Sequence, residues 1–130
     1  MNEILAKQLA IDFCTDVNSI LSKENVFTEY KQLEGRRIFK EGECYFKAAS
    51  VNGKIVASGR KDIIQWAREK FKTENGAWFM DMGCLHELEE GLLRFQCRIG
   101  QAHPFYIATK KSDVNTKDYD IKIYEGDELE

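Results

Sequence analysis

CYFKAASVNGKIVASG, residues 44–59, consists of two strand-like runs joined by Asn52-Gly53. Asn-Gly tolerates the positive φ values of a type I′ turn, whose twist matches that of two antiparallel strands. The stretch predicts a two-residue hairpin, and a sheet to which the flanking segments must attach. Upstream, NVFTEY (25–30) is rich in β-branched and aromatic residues and predicts a further strand. Between them lies GRRIFKEGE (35–43), a glycine-bounded basic loop. Downstream, KDIIQWAREKFK (61–72) sets Ile63, Ile64, Ala67 and Phe71 on one helical face. Asp62 then falls near the positive end of the helix dipole, and Lys70 and Lys72 near the negative end. Asn75-Gly76 stops this helix.

Further out, NEILAKQLAIDF (2–13) spaces Ile4, Leu5, Leu9 and Phe13 as an amphipathic helix does. Thr15 and Asp16 are suited to cap a second short helix in VNSILS (17–22). AWFM (77–80) is a short apolar run and predicts a buried strand. A helix follows it, with Leu85, Leu88, Leu92 and Phe95 inward and Glu87, Glu89 and Glu90 outward. CRIGQAHPFYIA (97–108) has strand character interrupted at Gly100 and Pro104. A polar loop, TKKSDVNTKD (109–118), leads to a final strand around Ile121 and Ile123 and an acidic ending, EGDELE (125–130). The sum is an α+β fold over residues 1–130: a mainly antiparallel sheet of about five or six strands, covered by two or three helices.

The length of 130 residues suits one domain with its own core. A composition of 43% hydrophobic and 32% charged residues is that of a globular chain. The formal charge is -3, but Glu125, Asp127, Glu128 and Glu130 crowd the last six positions. Without them 18 acids face 19 bases. That balance argues against a surface tuned as a whole for nucleic acid or an anionic membrane. Cys14, Cys44, Cys84 and Cys97 form no C-x-x-C pair and no signal-peptide pattern precedes them, so reduced thiols in a cytoplasmic protein are expected. No apolar run approaches the ~20 residues that span a bilayer. A soluble protein with no membrane partner is expected.

Several groups carry chemistry. Arg36 and Arg37, beside a glycine and an aromatic, are suited to grip a phosphate or carboxylate, with Lys40 adding charge and Tyr45 or Trp66 lining a pocket. The competing reading is an intramolecular clamp, one arginine paired with an acid while its stem covers apolar surface. Cys84 or Cys97 with His86 or His103 offers a thiol and a base. At helical spacing, however, Cys84 and His86 point about 200° apart. RIGQA (98–102) resembles a phosphate-cradling loop, but such loops enter a helix N-terminus, and here AHPFYIA follows. Trp66, Trp78, Phe79, Phe105 and Tyr106 lack the interleaved basic residues of a base-stacking platform and read as core. No metal-ligand pattern stands out.

AIDFCTDVNSILSKENVF, EGRRIF, YFKAASVNGKIVASG, DIIQWAREKF, GAWF and AHPFYIA together resemble the N-terminal half of bacterial GNAT-type N-acetyltransferase-like proteins. The resemblance implies a non-catalytic accessory or substrate-shaping domain, possessing at most a degenerate GNAT-like module. Its expected partner is a C-terminal acetyltransferase half, in the same or another chain, or itself as a homodimer. IKIYEGDELE would then lead into that half, with residues 125–130 as its stub. Acetyl-CoA is implied as cofactor only where the catalytic half is present. The family's pyrophosphate loop reads Q/R-x-x-G-x-G/A; here Gly100-Gln101-Ala102 fits its end while Cys97 replaces Gln or Arg, so no catalytic residue carries over. Two other functions stay open: a free-standing small-ligand or anion-binding protein using the Arg36/Arg37 loop, and a Cys/His enzyme.

Overall fold

The computed structural model describes residues 3–37 and 44–104. Lys40, the final-strand segment and the acidic ending lie outside the described residues. Met1–Gly100 make one compact unit, and Gln101–Pro104 belong to a second.

The fold is α+β. In chain order it contains α1 (Glu3–Asp12), α2 (Val17–Leu21), β1 (Val26–Glu29), β2 (Phe46–Val51), β3 (Lys54–Gly59), α3 (Lys61–Phe71), a 3₁₀ turn (Gly76–Trp78) and α4 (Met82–Leu93). Among the described residues the sheet has three strands in the order β1-β3-β2, not five or six, and four α-helices rather than two or three. No helix there is long and apolar enough to cross a membrane.

The hairpin forms as its turn chemistry requires, with Asn52 and Gly53 at φ 51° and 76° and Val51 paired to Lys54. The sheet is mixed, however, because β3 inserts between β1 and β2 and runs parallel to β1, Val26 opposite Val56 and Glu29 opposite Gly59. β3 is buried along its whole length. Its alternate residues feed two cores. Ile55 and Ala57 pack with Phe27, α3 and α4, while Val56 packs with Ala6, Leu9, Ala10, Phe13 and Ile20 of the first two helices. A helical layer therefore covers each face of the sheet.

The helices follow apolar periodicity, with one shift. Ile63, Ile64, Ala67 and Phe71 are buried on α3, and Leu88 and Leu92 on α4, as the spacing predicts. On α1 the buried face is Ala6, Leu9 and Ala10, continuing to Phe13, while Ile4 is 77% exposed. Small alanines let α1 approach the sheet, and Ile4 lies two residues, about 200°, from Ala6. Asp16 caps α2 as expected, its Oδ1 accepting from Ser19 N–H at 2.9 Å.

AWFM does not form a strand. Asn75 Oδ1 accepts from Ala77 N–H at 2.9 Å and starts a 3₁₀ turn, which docks on the hairpin through Gly76 N–H donating to the Gly53 carbonyl at 3.0 Å. Side chains one residue apart in such a turn point about 120° from each other. Phe79 therefore enters the core while Trp78 faces solvent.

Two polar side chains join the elements. Asn25, just before β1, donates from Nδ2 to the carbonyls of Phe71, Lys72 and Glu74, and its Oδ1 accepts from Ile55 N–H at 2.8 Å. It satisfies the end of α3 and extends the β3 ladder at once. Lys54 is buried, with Nζ donating to the Ser19 carbonyl and Ser22 Oγ at the end of α2. Burial lowers the pKa of this ammonium.

Candidate functional site

β1 ends beside β3 and the start of β2, so residues 30–37 leave the sheet, and residues 44–45 re-enter it, at the same end. There the chain turns through Gly35 at φ 76° and lays Arg36 and Arg37 toward α1. Asp12, buried at the C-terminal end of α1, accepts from Arg37 N–H at 2.9 Å, Arg37 Nε at 2.7 Å and Gln8 Nε2 at 3.0 Å. Arg37 Nη2 completes the ion pair at 2.5 Å. Arg37 is thus an internal clamp.

Arg36 has a different environment. Its guanidinium carbon lies 4.1 Å from the centre of the Tyr30 ring, and its Nε and Nη1 are covered without a hydrogen-bond partner. Lys47, half-buried on β2, places Nζ 4.6 Å from the centre of the Phe13 ring. Burial lowers the Lys47 pKa, the Asp12 charge works against this, and the Arg36 charge lowers it further. The sequence carried a trace of this arrangement. Lys47 shares its strand face with Ala49 and Val51, an inward position at which a lysine needs a reason.

Asp12 gives the clamp a pH signature. Burial by itself pushes its carboxyl up, but hydrogen bonds from the Arg37 side chain and backbone and from Gln8 outweigh that and hold it below the usual carboxylate range. A carboxyl depressed in the folded state contributes stability that is complete above the unfolded pKa of about 3.9 and is lost as pH falls through the folded value. Urea unfolding below about pH 4 is therefore expected to weaken the wild type more steeply than Asp12→Asn. Parallel pH profiles for the two proteins would refute the assignment.

The other candidate residues are dispersed. Tyr45 is exposed, with the Arg60 guanidinium 5.4 Å from its ring centre. Trp66 packs with Phe71 and Phe95 in the core on the other face of the sheet, so it lines no pocket with Arg36. Cys84 has its thiol pKa raised by burial and by Glu74, Glu87 and Asp81, the opposite of an activated nucleophile. His86 Nε2 lies 3.4 Å from Glu90 Oε1 on its own helix. Cys97 Sγ donates to the Phe95 carbonyl at 3.4 Å. His103 Nε2 lies 3.4 Å from Gln101 Oε1. Gly100 has open space where a Cβ would stand, and residues 101–104 form no helix. Among the described residues no group of three His, Cys, Asp or Glu is placed to hold a metal.

Two further surface features among the described residues bear on binding. A groove of about 760 Å³ passes Ser22, Asn25, Thr28, Arg68 and Lys72. Its central polar groups are committed to the fold: Asn25 as described, and Arg68 Nη2 donating to the Phe27 carbonyl at 2.7 Å. The second feature is apolar. Trp78, Met80 and Met82 are 60%, 40% and 83% exposed within five consecutive residues, so Trp78 is not the core residue that its apolar run predicts. Comparison with protein-family models, curated proteins and solved structures finds no match to this chain.

Proposed function

We propose that this chain is a non-catalytic accessory domain that works by docking. Its partner is the acetyl-CoA-binding half of a GNAT-like N-acetyltransferase, whose acceptor-substrate site it shapes, or a second copy of the chain when that half is lacking. The observation that carries the docking reading is the exposed run of Trp78, Met80 and Met82. Tryptophan and methionine are enriched at protein interfaces, where a large or adaptable apolar side chain gains most from leaving water. The resemblance supplies the class of partner.

The reading expects acetyl-CoA to serve the partner. The purified chain, assayed alone with acetyl-CoA and a panel of amines, should transfer no acetyl group above the uncatalysed rate. Transfer at ordinary enzyme rates would overturn the proposal. A second function, small-anion binding, is favoured by the donors of Arg36.

A further inference from the structure

Beneath α1, at the end of the sheet where β1 stops, polar donors stand without acceptors among the described residues. Ser58 is 1% exposed and its Oγ has no partner, and Arg36 Nε and Nη1 are likewise covered and unpartnered. Lys47 stands directly opposite Ser58 in the β2–β3 register. Residues paired in this way project from the same face of a sheet at adjoining positions. The ammonium of Lys47 rests over the Phe13 ring, a contact that uses its charge but accepts none of its N–H groups. The buried carboxylate nearby, Asp12, is already taken by Arg37 and Gln8.

Buried donors without acceptors are rare, because the lost hydration is not returned. What the cluster lacks is therefore specific: a negatively charged acceptor. A cation would meet two like charges, and an apolar group would leave every donor unpaired. We propose that Arg36, Lys47 and Ser58 form a binding site for a small oxyanion, a phosphoryl or carboxylate group carried by a small molecule.

Each neighbouring residue has a part in such a site. The Arg36 guanidinium lies over the Tyr30 ring and the Lys47 ammonium over the Phe13 ring, which holds both charges near the site. Arg37 is a positioning residue. Its bonds to Asp12 fix residues 35–37 against α1, so Arg36 is held in place without spending its own donors.

The test is a titration of the full chain with inorganic phosphate and, separately, with acetate, read by NMR on the arginine Nε–H signals. At least one anion should shift the Arg36 signal saturably. Lys47→Met should weaken that binding about tenfold or more, and Arg36→Met should do the same when the anion-induced shift is read on the Ser58 backbone amide, as loss of a charge-assisted hydrogen bond does. Arg94→Met, at the exposed end of α4, should leave it unchanged. Saturation by phosphate alone assigns a phosphoryl ligand, and saturation by acetate alone a carboxylate. Absence of a saturable Arg36 shift with either anion into the tens of millimolar overturns the proposal, as does equal weakening by Arg94→Met. The wild-type signal decides the question even if a variant fails to fold. The result is separable from the docking reading, which uses none of these residues.

Discussion

Gly76→Ala is expected to lose about 3 kcal/mol of stability, a drop of about 10 °C in Tm. A Cβ at Gly76 would stand 2.2 Å from the Lys54 carbonyl carbon and 2.4 Å from its Cα. These are backbone atoms at the hairpin turn, so no side-chain rotation relieves the overlap. The 3₁₀ turn would have to lift away. Doing so breaks the Gly76 N–H bond to the Gly53 carbonyl and the Ser50 Oγ bond to the Gly76 carbonyl, and draws Phe79 from the core. Thermal and urea unfolding measure the loss. A Tm within about 2 °C of wild type would mean that the turn does not press on the hairpin.

Asn25→Ala is expected to cost about 2–3 kcal/mol, most of it from one group. Ile55 is fully buried, and its N–H would lose its acceptor without gaining water. The three carbonyls at the end of α3 are easier to hydrate, so their loss counts for less. Asn25→Asp sharpens the test, because it keeps an acceptor for Ile55 but turns three donated bonds into a carboxylate facing three carbonyls at the negative end of a helix. At neutral pH it should be at least as damaging as alanine, and part of the loss should return when the carboxyl is protonated in acid. Near-wild-type stability of Asn25→Asp at neutral pH would contradict this role.

What could be read in advance follows from how far each signal reaches along the chain. The hairpin was legible because Asn52-Gly53 decides its own geometry, and α3 was legible because Ile63, Ile64, Ala67 and Phe71 repeat at helical spacing. The parallel pairing of β1 with β3 was not, because no local residue records which strand will lie beside Val26. AWFM misled because an apolar run carries no information on whether alternate residues share a face. Asn75 and the hairpin surface settled that question instead. Of the candidate site, the arginine loop was visible as two adjacent guanidiniums. Their separation into a clamped Arg37 and an unpartnered Arg36 depends on Asp12, a buried acid at a helix end that could not be told from a surface one. Ser58 left no signal at all, since a serine in a buried strand is ordinary until its partners are known.

Docking through Trp78, Met80 and Met82 is the claim on which the functional reading rests. Sedimentation equilibrium of the isolated chain from micromolar to millimolar concentration, beside the Trp78→Ala/Met82→Ala variant, tests it most directly. The account predicts that the wild type self-associates to cover this surface and that the variant does so at least about tenfold more weakly. A wild type that stays monomeric across the whole range, or a variant that associates just as well, would contradict it.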